Sequence, residues 1–550
     1  MLALLGLVLG GVGGAAAFAV IHLVGLISNL TLLHRVGYDL PNLRHYHPTP
    51  ILLPIAVGGA LIVVLLARWS PIIKGHGIPE SLEAILFRDS RIAPRAAVAK
   101  PASAAVAMGT GGPFGAEGPI IVTGASIGSM LGQVLPVSAA ERRILLAVGA
   151  AAGMAGVFGT PVAAVVLAFE LLLFERSLRA LLPLTIASGT AGALHDVLVS
   201  PHPLFSVSVH MLAPAGQLPL FAVLGVAAGG LAVLMVRGLF VTEAVFRRLP
   251  LPEWSHPLVG AAGYGLLGLV VPGSLSVGYW AITDAVNGRF TLVAAGVLCL
   301  AKMVSWWIGL GSNTSGGTLA PMFLVGATMG EMIGIGFARA FPGAHVQPGA
   351  FALVGMGVCF GVGARALLTG IVFAAEVTGG FGLLVPLLVA TACAEVVAEL
   401  GLGERIMTDK LRRRGYRVDF DTQTDPLRQR VVGAVMDPLG HDGSPMRSDA
   451  LPSPSGLVSP MGPGPTDGQS GRPTVDRQAF LAEALPALLD PNCSEVIVTD
   501  HGDPIGSVTW SHVLSELRRR VDEESVQPPS WGPWRPRSEA RASDDGDDAA

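Results

Sequence analysis

The sequence predicts an all-α polytopic membrane protein with broken helices, followed by a small α/β cytoplasmic tail. Three observations carry this. Of 550 residues, 51% are hydrophobic and 14% charged, whereas a soluble protein carries roughly a quarter charged residues. Residues 144–169, 198–236 and 303–330 contain no Asp, Glu, Lys or Arg, and each run exceeds the roughly 20 residues that a spanning helix needs. The apolar part also holds most of the 71 glycines, often beside proline. Both residues interrupt helices, and at membrane depth the freed backbone must be buried in protein or line a watery cavity. In transporters such interruptions mark binding sites.

The apolar run Met1–Val20 lacks a basic leader and passes into further hydrophobic segments, so it reads as the first membrane helix rather than a signal peptide. Residues 1–410 form the membrane domain. The basic cluster Lys410, Arg412, Arg413 and Arg414 follows, and the positive-inside tendency places it, with the tail, in the cytoplasm. The expected location is therefore a cell membrane, with the chain crossing the lipid bilayer several times. A net charge of −4 without a large basic domain argues against a nucleic-acid partner. Cys299, Cys359, Cys393 and Cys493 form no CxxC pair, so neither a disulfide framework nor a metal site is indicated.

The membrane domain is duplicated. PIIVTGASIGSMLG (119–132) and PMFLVGATMGEMIG (321–334) share six identities at an offset of 202. GAAAGMAGVFGTPVAAVVLAFE (149–170) aligns with GMGVCFGVGARALLTGIVFAAE (355–376) at an offset of 206, and both end in glutamate, Glu170 and Glu376. In transporters the substrate site commonly lies where two such halves meet. Sequence alone leaves open whether the halves are parallel or inverted.

Three glycine- and proline-rich loops each lead into an apolar segment: Gly75–Pro79, Gly115–Pro119 and Gly317–Pro321. Glycine permits a tight turn and proline favours the first helical position, so each loop reads as a helix start presenting free N–H groups and the positive dipole end. Several such ends at one point would make an anion site from backbone alone. Each end contributes ~0.3–1 kcal/mol when exposed and up to ~2 kcal/mol when partly buried, which leaves an ion able to depart. The competing reading is that glycine and proline merely let helices pack closely.

Glu117 is the only charged residue between Pro101 and Ala140. An intramembrane carboxylate is costly and marks function by default. At a helix N-terminus it occupies the position an anion seeks: ionised it competes with the ion, and protonated it can swing away. It is thus a candidate gate and proton carrier, or else a simple dipole partner.

These loops, in this order, resemble the CLC family of chloride channels and proton-coupled chloride antiporters, whose patterns are G-S-G-I-P, G-[RK]-E-G-P and G-x-F-x-P. The resemblance spans roughly residues 1–410 and includes the stretch from Lys100 to Pro119 and LLTGIVFAAEVT in the second half. It implies an inverted-repeat helical bundle, a homodimer with one pore per subunit, chloride as the transported ligand, no cofactor and no enzymatic activity. It implies an external gate at Glu117. It also implies an anion site built from His76, Gly77, Gly118, Pro119, Thr318, Leu319, Ala320 and Met407.

The departures fall on side chains. His76 replaces the family's serine, Ala116 its arginine, Leu319 its phenylalanine, and Met407 its tyrosine. Both side-chain donors to the central ion are replaced while the backbone donors remain, so selectivity among chloride, bromide, nitrate and fluoride is open. His76 is either an anion donor or a histidine hydrogen-bonded at a helix start. Family antiporters carry a second glutamate directly after the position of Glu170, where this chain has Leu171. That favours a passive glutamate-gated pore, with proton/chloride antiport as the alternative. Glu175 matches no family proton site, and Glu170 and Glu376 read as structural. A membrane-embedded enzyme using His195 and Asp196 is a remote third reading.

Residues 428–520 resemble one CBS motif: an opening strand at Arg430–Met436, a helix at Leu481–Leu489, and strands at Glu495–Asp500 and Pro504–Thr509. Residues 437–473 form a Pro/Gly/Ser-rich insert expected to be disordered. CBS motifs normally pair to bind adenosine nucleotides. With one motif visible, a small docking domain is the favoured reading and nucleotide binding the speculative one. Residues 521–550 read as a flexible acidic tail.

Overall fold

A computed structural model of the chain describes residues 1–70, 73, 77–173, 177–207, 211, 213–402, 432–438, 473–479, 481–490, 493–500 and 503–524. Residues 1–407 and 408–525 belong to separate compact units.

Among the described residues the first unit is mainly helical, and its α-helices come in two sets of eight. The first set is α1 (Leu2–Leu32), α2 (Leu52–Trp69), α3 (Ile78–Phe87), α4 (Ala96–Gly109), α5 (Glu117–Val134), α6 (Ala139–Phe158), α7 (Pro161–Leu167, continued by a π turn Ala168–Leu172) and α8 (Leu178–Leu198). The second is α9 (Leu218–Arg248), α10 (His256–Val270), α11 (Tyr279–Val286), α12 (Leu292–Gly311), α13 (Leu319–Ala340), α14 (Pro348–Ala364), α15 (Leu367–Thr378) and α16 (Leu384–Gly401). Each set opens with a helix of 31 residues and has a short third member, of 10 and 8 residues. Partners repeat as well: α5 packs on α6 as α13 packs on α14, and α1 on α8 as α9 on α16. Seven helices among the described residues are long and apolar enough to cross a membrane.

Small residues set the closest crossings. Gly124 of α5 meets Gly149 of α6 so tightly that a Cβ on either would strike the other's carbonyl oxygen, and the equivalent pair Gly326 and Gly355 repeats the contact between α13 and α14. Lipid supplies no hydrophobic drive between helices, so backbone approach of this kind does the packing.

The relation between the halves is legible in two carboxylates. Glu376, near the end of α15, accepts hydrogen bonds from the N–H groups of Val162 (3.0 Å) and Ala163 (2.8 Å) at the start of α7. Glu170, in the π turn that ends α7, accepts from the N–H groups of Leu368 (2.9 Å) and Thr369 (2.8 Å) at the start of α15, and from the Thr369 hydroxyl (2.6 Å). Each helix caps the head of the other with its own tail, so equivalent helices run antiparallel. A two-fold axis that reverses equivalent helices lies in the membrane plane, and the repeat is inverted.

In the second unit four strands pair in the order β1-β4-β3-β2: β1 (Asp437–Pro438), β2 (Thr474–Asp476), β3 (Glu495–Asp500) and β4 (Asp503–Thr509). Strand β2 is parallel to β3, and β3 is antiparallel to β4. Helices α17 (Leu481–Leu488) and α18 (Trp510–Glu524) accompany them. Leu481, Leu488, Val496, Val498, Val508 and Val513 share the core with Val432.

Of the opening strand expected at Arg430–Met436, the described residues 432–436 form no strand. Val432–Ala434 is a 3₁₀ turn, and Val432 and Gly433 donate to the carbonyls of Ala479 and Arg477. Those bonds lead away from any ladder, so pairing begins only at Asp437. Of the insert expected to be disordered, residues 437–438 are strand and residue 473 is described as well; residues 439–472, like 525–550 of the tail, lie outside the described residues.

Removing a paired acceptor at a helix start strands its donors, at a cost of about 1–3 kcal/mol where no water replaces it. Glu376→Ala and Glu170→Ala should each lower the Tm of detergent-purified protein, and Glu376→Gln, which keeps one acceptor oxygen, should lower it less. Unchanged melting in both alanine variants would remove the carboxylates from the fold's supports.

Candidate anion site

The site begins with where helices start. Helix α5 opens at Glu117, with Gly118 and Pro119 in its first turn; α13 opens at Leu319, with Ala320 and Pro321; α3 opens at Ile78 after Gly77. Proline is tolerated in a first turn because the N–H it removes has no intrahelical partner.

Backbone contacts bring these starts together. Gly115 and Gly317 form an isolated antiparallel bridge, Gly115 N–H to Gly317 O (3.2 Å) and Gly317 N–H to Gly115 O (3.0 Å). The two residues occupy equivalent positions in the repeat, so the inversion axis passes between them. Gly77, at φ +105°, lies against Gly118 with no room for a Cβ. All three loops therefore meet at one place.

Glu117 is there, with none of its surface exposed. Its Oε1 accepts a hydrogen bond from the Tyr279 hydroxyl at 2.9 Å. Its Oε2 is buried, and among the described residues no group meets it in full hydrogen-bond geometry. The main-chain amides of Glu117 and Ala320 and the Lys302 ammonium act on the carboxylate electrostatically. Gly118, Pro119, Thr318, Leu319 and Ala320 surround the two helix starts and are all buried. Gly77 is buried at the head of α3, where its N–H donates to Glu80 Oε2 at 2.6 Å. His76 and Met407 lie outside the described residues, as does Glu175.

Chemically, a negative group sits where the amino ends of α5 and α13 converge, with a buried ammonium behind it. Such a place can attract an anion through backbone amides. Leu171 is 1% exposed in the π turn, and its neighbour Glu170 already uses both oxygens on α15. His195 is buried with Nδ1 against Gly156 O at 2.9 Å, whereas Asp196 is exposed, so the two form no joint site.

Two residues escaped sequence reasoning. Lys302 is fully buried, and its Nζ donates to Ser276 O (2.6 Å) and Ser274 O (3.2 Å). Tyr279 begins α11. The repeat held the signal: Lys302 stands 202 residues after Lys100, whose Nζ donates to Ile73 O at 2.7 Å, and Gly278 stands 201 after Gly77.

Comparison with known proteins adds a family to this geometry. The profile described as "Voltage gated chloride channel" matches residues 58–399. The H(+)/Cl(-) exchange transporter ClcA of Yersinia pestis is 29% identical over 360 residues, covering 64% of this chain and 74% of that protein. The transporter of the same name from Vibrio campbellii is 28% identical over 390 residues, covering 68% and 81%. The crystal structure of a slow cyanobacterial Cl-/H+ antiporter superposes with a TM-score of 0.66 at 27% identity, covering 77% of this chain and 98% of that one. A eukaryotic CLC transporter matches in fold at a TM-score of 0.65 and 20% identity, covering 93% and 97%.

A Cβ on Gly317 would lie 2.5 Å from Gly115 O and 3.0 Å from Gly118 N. Gly317→Ala should therefore break the bridge and reduce anion flux in liposomes at least tenfold, whereas Gly336→Ala, with open space around it, should leave flux unchanged. Wild-type flux in Gly317→Ala would show the bridge to be dispensable.

Proposed function

The chain belongs to the voltage gated chloride channel family, and on that premise we propose that it moves chloride across a membrane in exchange for protons, with Glu117 as gate and proton carrier. One observation carries the reading: the buried Glu117 carboxylate lies among the amide ends of α5 and α13, where a chloride ion would bind. Ionised, it fills the site. On taking a proton it loses the charge that holds it there, swings away, and a chloride ion takes its place. When the carboxylate gives up its proton on the other side and returns, it displaces the ion. Protons and chloride thereby move in opposite directions through one shared position.

The amide ends of residues 118 and 318–320 and the Gly77 turn are the proposed chloride contacts, with His76 and Met407 at the family's two side-chain positions. The similar proteins described above, exchange transporters and an antiporter, support exchange over the passive flow that Leu171 favours. Leu171 remains the observation behind a second reading, uncoupled chloride flow, because it offers no proton acceptor beside α3. Under exchange, the inner proton path runs through water or through another group. A homodimer with a cytoplasmic tail completes the proposal.

Purified protein in liposomes separates these readings. A chloride gradient should drive protons uphill, and Glu117→Gln should abolish proton movement while chloride still passes. Chloride efflux with no proton movement in the wild type would favour the second reading. Glu117→Gln indistinguishable from wild type in both fluxes would overturn the role of Glu117.

A further inference from the structure

We propose that Tyr279 is a latch on the Glu117 gate and that Lys302 is the positioning residue that sets it; this rests on the reading of Glu117 given above. The latch is the 2.9 Å hydrogen bond from the Tyr279 hydroxyl to Glu117 Oε1. Donation to an ionised carboxylate is among the stronger hydrogen bonds, and it holds the gate where it blocks the ion.

The phenol is fixed on both sides. Its ring meets Phe205 edge-on, with centroids 5.3 Å apart, and Phe158 at 6.2 Å. Phe158 packs in turn edge-on against Phe373 at 4.8 Å. The hydroxyl is thus delivered to one point rather than swept through space, and the carboxylate is the partner that moves.

Tyr279 is placed by the turn before it. Gly278 adopts φ +80° at the head of α11, and Ser276 adopts φ +53°, a conformation uncommon outside glycine. The carbonyls of Ser274 and Ser276 both accept from Lys302 Nζ. A Cβ on Gly278 would lie 3.7 Å from that nitrogen, so the ammonium runs directly beneath the turn. Lys302 therefore holds an unusual backbone in place while its charge attracts the same carboxylate.

The repeat isolates what is special here. Lys100 likewise donates to a backbone carbonyl ahead of α3, that of Ile73, but the residue that opens α3 is Ile78, which has no hydroxyl. Likewise Leu319 stands where the first half has Glu117. One half supplies the gate and the other its latch.

Full-length protein in liposomes tests this through the initial rate of chloride efflux. Loss of a hydrogen bond to a charged group corresponds to about a tenfold or greater shift in the latched population, so Tyr279→Phe should raise the rate about tenfold. Lys302→Met should raise it in the same direction, and Lys302→Arg should restore the wild-type rate. In a Glu117→Ala background, which leaves nothing to latch, Tyr279→Phe should change nothing. A rate in Tyr279→Phe equal to or below wild type, or the same rise in the Glu117→Ala background, overturns the latch. A wild-type rate in Lys302→Met overturns the positioning role. Glu117→Ala with wild-type chloride and proton fluxes would instead overturn the gate itself, which separates the two failures.

Discussion

Two hydrogen bonds between Gly115 and Gly317 join the inverted halves at equivalent positions, and the chemistry of the site depends on them. Unpaired amides at one helix start make a weak anion site, worth up to about 2 kcal/mol when partly buried. Bringing the starts of α5 and α13 together adds their fields at one point without introducing a fixed positive side chain in contact with the ion. Attraction strong enough to draw an anion from water and weak enough to release it is what conduction requires. Without the bridge the two starts separate, and Glu117 is left with one helix end.

Inversion gives the bundle its economy, and its departures from symmetry give it function. The reciprocal caps of Glu170 and Glu376, the glycine crossings of α5 on α6 and α13 on α14, and the lysine braces occur in both halves. Glu117 and Tyr279 do not. Structural residues are duplicated, whereas the gate carboxylate and the hydroxyl bonded to it belong to one half each and meet across the axis.

Much of this was legible in the sequence, for physical reasons. A carboxylate that is the only charged group among residues 101–140 is visible because its cost in lipid is high, and Gly/Pro loops are visible because few other residues start a helix there. The repeat was read where backbone contact restricts residue choice, at residues 119–132 and 149–170. It was missed at α1 and α9, where any apolar residue faces lipid equally well. It was also missed at α3 and α11, whose turns share little beyond a glycine with positive φ. Tyr279 and Lys302 went unseen because their partners are 162 and 26 residues away, a separation that no local pattern reports. The strand expected at Arg430–Met436 failed because a valine-rich run reads as strand whether or not a neighbour is present to pair with it.

With the carboxylate removed, the convergent amides should bind the anion themselves. Diffraction from crystals of Glu117→Gln grown in bromide, recorded at the bromine absorption edge, tests it most directly. An anomalous peak is expected at the place of the Glu117 carboxylate, within hydrogen-bonding distance of the amides that start α5 and α13. Bromide bound elsewhere in the protein with none at that place would contradict it.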